Sequence, residues 1–108
     1  MNVIRGYHAH VYFDAGSVEK ARGLCERAAA KFDVPMGRVH ERNVGPHPRW
    51  SCQLSASGAQ FALLLPWLVL NRDGLIVFSH PVTDDALVDH RDHGIWLGVG
   101  LEMDLSIF

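Results

Sequence analysis

The sequence has little that would tie it to nucleic acid, to a membrane or to export. Ten lysines and arginines face twelve aspartates and glutamates, a net charge of −2 with the histidines neutral. That leaves no basic surface for nucleic acid or anionic lipid. Only two cysteines are present, Cys25 and Cys52, far apart and in no metal-ligand spacing. That excludes a disulfide framework and reads as two free thiols in a reducing cytoplasm. The longest apolar run, Phe61 to Leu70, is too short to span a bilayer and contains Pro66. No charged-then-apolar leader opens the chain, so secretion is not expected. Repeats, linkers and low-complexity segments are missing too, and 108 residues fit one domain, 1–108, with a core of its own.

What the chain has in excess is histidine, seven in all. Placing them requires the elements. Tyr7, Ala9, Val11 and Phe13 alternate with His8, His10 and Tyr12, the period of a strand. Asp14 or Ser17 caps a helix whose apolar face is Val18, Ala21, Leu24, Cys25, Ala28 and Phe32, ended by Pro35 and Gly37. Arg38 to Val44 is polar and broken, at most a short strand, and Gly45-Pro46-His47-Pro48 is a rigid turn. Trp50, Cys52 and Leu54 predict a second strand, and Phe61 to Val69 a small helix with Pro66 in its first turn or kinking it. Leu75 to Phe78 reads as a strand covered on both faces and stopped by Pro81. Thr83-Asp84-Asp85 starts a helix, and Val99, Leu101, Met103, Leu105 and Ile107 alternate as a last strand.

This order suits an α+β, ferredoxin-like sandwich: one antiparallel sheet in spatial order 4-1-3-2, with helices on one face. The third strand then lies between the first and second, and one sheet edge gathers His8, His10, His47 and His80. His8 and His10, two apart on a strand, project from one face and can chelate a metal through neutral imidazoles. Each histidine taken alone also has a plain structural role. The convergence of four favours a site.

His90 follows Asp89, a carboxylate able to orient an imidazole; His93 reads as a solvated helix end and His40 has no partner pattern. Arg49, on the side of Ser51 and Gln53, is either a clamp for a substrate carboxylate or a surface arginine. Tyr12 either lines the pocket or packs, and Trp96 either walls a planar aromatic pocket or belongs to the core.

Tyr7-His8-Ala9-His10-Val11-Tyr12, Gly45-Pro46-His47-Pro48, Gly74 through His80-Pro81, Asp89-His90 and Trp96-Leu97-Gly98 together resemble the DOPA 4,5-dioxygenase family over nearly the whole chain. The resemblance implies a ferredoxin-like fold and ring-opening of catechols such as DOPA, outside the two hydroxyls, with O2 and non-haem iron. It also implies functional weight for His8, His10, His47, His80 and His90, without saying which bind metal and which move protons. The chain departs from the family pattern after His80-Pro81, where Val82 and Asp84 flank the threonine in place of asparagine and glycine. That bears on the substrate more than on the reaction. The working set is Fe(II), or another divalent metal, on His8, His10 and His80, with Asp89 as reserve carboxylate. His47 or His90 shuttles the proton, and Arg49, Tyr12 and Trp96 meet the small aromatic substrate.

Two other classes compete. One is a metal- or small-molecule-binding module without turnover, its histidines forming a closed site. The other is a histidine-based phosphoesterase, which the lack of a glycine-rich phosphate cradle opposes. Finally, Ile76 and Phe78 share the face of His80 with no predicted helix above them, so a homodimer stacked sheet to sheet is expected to cover them.

Overall fold

Alternation over Gly6–Phe13 produces β1, which is the strand at the centre of the molecule and is buried on both faces toward its end. The computed structural model describes residues 3–108. After β1 come α1 (Val18–Phe32), β2 (Trp50–Ala56), α2 (Gly58–Asn71), β3 (Val77–Val82), α3 (Ala86–Arg91), β4 (Ile95–Leu97) and a 3-10 turn at Leu105–Ile107. The four strands form one sheet in the order β2-β1-β3-β4, every neighbouring pair antiparallel.

Local chemistry sets the helix ends. The Asp14 carboxylate accepts from Gly16 N at 3.0 Å and Ser17 Oγ at 2.9 Å, turning the chain into α1. α1 closes on Asp33 in the left-handed conformation, before Pro35 is reached. Ser57 and Gln60 form a reciprocal capping box at the start of α2. Pro66 lies in the interior of that helix rather than in its first turn, and the helix runs on to Asn71. Ala21, Leu24, Cys25 and Ala28 of α1 and Phe61, Leu64 and Leu68 of α2 pack on one face of the sheet, against Ala9, Val11, Cys52, Leu54 and Val77. Tyr7 stacks on Phe61 with ring centroids 4.2 Å apart, tying β1 to α2.

The ferredoxin-like order emerges with different strands in its places than the sequence predicted. Met36 and His40 bridge to Leu54 and Ser51, and Gly37 and His40 donate backbone N–H bonds to Gln53 and Ser51. Residues 35–40 thus line the outer edge of β2, running parallel to β1. Counting that segment as the second strand and β2 as the third gives 4-1-3-2 with β3 as the fourth. α2 is then a full crossover helix, not a small insertion.

Three further expectations are corrected. Val99–Ile107 is not a strand: Gly98, at φ 88°, turns the chain out of β4, and the segment is held at Asp104 by an N–H bond to Pro46 O before the 3-10 turn. Pro81 does not stop β3. The Tyr12 N–H donates to Ile76 O, so by antiparallel alternation the Pro81 nitrogen faces away from β1. On that side β4 has already ended, its last pairing being Ser79 with Ile95. Phe78 does not need a second subunit to cover it: it is fully buried, with Trp96, His10, His80 and His90 around it, while Ile76 is half-buried. α1 and α2 share one face as expected, while short α3 carries His90 over the other.

Phe78 sets a steric limit at Gly94, where a Cβ would land inside the van der Waals shell of the phenyl ring. Gly94→Ala is therefore expected to destabilise the fold by about 1–3 kcal/mol, read as a lower urea midpoint. An unchanged midpoint would mean that Phe78 is not packed as described.

Candidate metal centre

The face of the sheet opposite α1 and α2 is where the chemistry lies. Register makes it: His8 pairs with His80, and His10, two residues along β1, pairs with Phe78. Cross-strand partners project to the same side, so His8, His10 and His80 form a triangle on that face. Their ring nitrogens offer one ligand atom each, all within 4.8 Å of one another. His10 and His80 are buried and His8 is half-buried.

The donor set fits a metal ion in three respects. His10 Nε2 and His80 Nε2 are 3.0 Å apart, the spacing of two imidazoles on neighbouring positions of one ion at about 2.1 Å. The His80 Nδ1–H donates to Pro81 O at 2.8 Å, which fixes the ring and leaves Nε2 with its lone pair outward. Burial, and after it the neighbouring histidines, hold the imidazoles in the neutral form that a metal requires. His80 is pushed down to about 4, His10 well below the ordinary range and His8 less so. Three histidines on one face of the sheet could therefore hold a metal ion.

His47 and His90 join this cluster by other routes. Because β1 and β2 are antiparallel neighbours, the start of β2 lies against the end of β1, where Phe13 pairs with Trp50. His47 is thus not at the His8 edge, as the predicted strand order had it. Its turn folds back over the sheet face instead. The His47 ring centroid comes to 4.0 Å from that of His10, and its Nδ1 meets the Tyr12 hydroxyl at 2.8 Å. Burial, then His90 and His80, push His47 down to about 4. His90 projects from α3, its ring centroid 4.0 Å from that of His80, with Nδ1–H donating to Ala86 O at 2.7 Å.

Asp89 does not serve as a reserve ligand. Its carboxylate is buried and committed to Thr83, accepting from the backbone N–H at 2.8 Å and from Oγ1 at 2.5 Å. That bond pins α3 to the end of β3 and so sets His90 beside His80. Nor does the structure bring Arg49 to the histidines. It is exposed and lines two surface clefts with Phe13 and Asp14 in which no histidine takes part. Trp96 backs the cluster through Phe78, at 4.5 Å between ring centroids, and Tyr12, at 6.0 Å. Sequence reasoning missed the Thr83–Asp89 lock, although the threonine and aspartate were both in view. It also missed Phe108, whose ring lies 4.6 Å from His90, and no local signal pointed there.

Two outcomes follow. In metal-free protein the unfolded chain takes up protons below about pH 6.5, while folded His47 and His80 resist until about pH 4. Stability is therefore lost as pH falls through that window, by about 1.4 kcal/mol per pH unit for each such histidine. Urea midpoints at pH 7, 6 and 5 read this directly, and a flat profile would contradict buried neutral imidazoles. In calorimetric titration with Co(II), His80→Ala is expected to weaken binding by roughly 100-fold or more and His47→Ala only a few-fold. Equal losses would put His47 among the ligands.

The model of the Dopa 4,5-dioxygenase family matches residues 7–107. A 21.2 kDa protein of Botryotinia fuckeliana is 36% identical over 96% of this chain, and a DOPA 4,5-dioxygenase of Amanita muscaria 28% identical over 95%. The chain spans 64% and 49% of the lengths of those two relatives. A candidate dioxygenase of Nostoc punctiforme, known from its crystal structure, superposes with a TM-score of 0.92 at 43% identity, covering 94% of this chain and 89% of that one. The match over nearly every residue, with the five-histidine face inside it, shows that this chain belongs to the Dopa 4,5-dioxygenase family.

Proposed function

We propose that the protein is a ring-opening dioxygenase acting on a catechol with O2 at a non-haem iron held by His8, His10 and His80. The observation that carries this reading is the triangle of imidazoles on one sheet face, with two more histidines against it, in a chain of this family. When bound, Fe(II) supplies a Lewis acid that lowers the pKa of the catechol hydroxyls and a place where ring and O2 meet. The residues of the chain do the rest. His47 and His90 hold or move the proton of the second hydroxyl, a task suited to imidazole near neutral pH. Phe78, Trp96 and Tyr12 exclude water from beneath the cluster, which strengthens each polar interaction above them.

A cleft of about 370 Å³ opens beside His8, lined among others by Arg5, Tyr7, Ser55 and Gln60. Its size is that of a small-molecule site. The arginine that shares a cleft with a cluster histidine is thus Arg5, ion-paired with Asp84, and not Arg49. We assign recognition of a substrate carboxylate to Arg5 on that basis. Among the described residues no helix is long and apolar enough to cross a membrane. The free, buried thiols of Cys25 and Cys52 suit a reducing cytoplasm.

The test is anaerobic loading with Fe(II), then a catechol bearing a carboxylate side chain, then O2. A yellow ring-opened product with uptake of one O2 per catechol is expected. Iron-loaded protein that binds catechol yet consumes no O2 would overturn the reading in favour of a metal-binding module without turnover.

A further inference from the structure

The proposal below rests on the dioxygenase reading and divides the proton chemistry between His47 and His90. Hydrogen bonds determine which ring nitrogen of each histidine carries the proton. A carbonyl oxygen can only accept. His80 and His90 both place Nδ1 on a carbonyl, Pro81 O at 2.8 Å and Ala86 O at 2.7 Å, so each is protonated at Nδ1. Each therefore keeps a lone pair at Nε2. For His80 that lone pair faces His10 and serves the metal. For His90 it has no hydrogen-bond partner among the described residues and is free to accept a proton.

His47 is different because its Nδ1 meets a hydroxyl, which can donate or accept. Tyr12 decides between the two. It is buried to 1% exposure, and among the described residues its hydroxyl bonds to His47 Nδ1 alone. Were Nδ1 protonated, it would donate to the phenol oxygen and leave the phenol proton buried without an acceptor. Buried donors are rarely left so. Tyr12 therefore donates, Nδ1 accepts, and His47 carries its proton on Nε2.

We infer that Tyr12 is a positioning residue that locks His47 as an Nε2–H donor, so that His47 hydrogen-bonds a developing oxygen anion while His90 is the base. A neutral imidazole protonated at Nε2 has no lone pair there, either for a metal or for an incoming proton. The step assigned to His90 balances simply. The O–H bond of the second catechol hydroxyl breaks, its electron pair stays on oxygen, and the proton forms a new N–H bond at His90 Nε2. A phenolate and an imidazolium result, with no change of oxidation state. Tyr12 contributes by fixing the orientation and tautomer of a ring whose centroid lies 4.0 Å from that of His10.

The test reads tautomers by long-range 1H–15N NMR on metal-free protein labelled at histidine. His47 is expected as the Nε2–H form, and His80 and His90 as the Nδ1–H form. Tyr12→Phe removes the lock, so His47 alone should change to a mixture. His47 as Nδ1–H in the unsubstituted protein overturns the proposal, whether or not Tyr12→Phe folds. Turnover separates the roles in iron-loaded enzyme. His90→Gln should lower kcat by about 100-fold or more and be partly rescued by added imidazole, with KM little changed. Tyr12→Phe should lower kcat by less than the roughly 100-fold that loss of a direct donor costs, because His47 itself remains. Rescue by imidazole of His47→Gln but not of His90→Gln would reverse the assignment. The tautomer spectra need neither metal nor substrate. Predicted tautomers without ring cleavage would support the Tyr12 lock on His47 while sinking the dioxygenase reading and, with it, the role of His90 as base.

Discussion

His8 and His80 face each other because β1 and β3 pair without a break from Gly6 and Val82 to Val11 and Val77. The site depends on that register. Side chains alternate strictly along a strand, so a slip of one residue would send His80 to the opposite face, into the space of Ala9 and the helices. The register is held from both sides of the sheet. On one face Val11 and Val77 lie in the core beneath α1 and α2; on the other Phe78, fully buried, fills the space beside His10. A bulky core thus positions a polar triangle that could not hold itself together. Three neutral imidazoles gathered with two more nearby gain little from one another, and burial disfavours their charged forms.

The cluster is assembled in layers of decreasing rigidity. His8, His10 and His80 belong to paired strands, whose backbone is fixed by the ladder. His90 comes from a six-residue helix anchored through the Thr83–Asp89 bond, and His47 from a turn anchored through Tyr12. The most rigid elements carry the residues suited to metal ligation, where small displacements are most costly. The less rigid ones carry residues suited to proton transfer, where the partner is a ligand that comes and goes. This division matches the roles proposed above.

Much of this was legible in the sequence, and the failures have physical causes. His8-x-His10 on an alternating strand and His80 after an apolar one were enough to predict a shared face. The fold class was legible too, because helices alternating with strands leave few alternatives. Strand identity was harder. Residues 35–40 pair through single bridges and carry no alternation, so the edge strand of the sandwich was invisible, and Val99–Ile107, whose alternation is real, was placed in the sheet in its stead. Pro81 misled because a proline is excluded from a strand only where its missing N–H would be used. His47 was predicted to reach the cluster along the wrong edge; a rigid turn announces its stiffness but not its direction. Arg49 was assigned by parity with β2, yet it lies before the strand begins, where parity says nothing.

The central claim is that one metal ion sits on His8, His10 and His80 and leaves room for a catechol. A crystal structure of the Fe(II)-loaded protein with a catechol, grown without O2, tests it most directly. The account predicts a single ion bound by those three imidazoles and by both catechol oxygens, with His47 and His90 off the metal. An ion ligated by His47 or Asp89, or a catechol bound away from the ion, would contradict it.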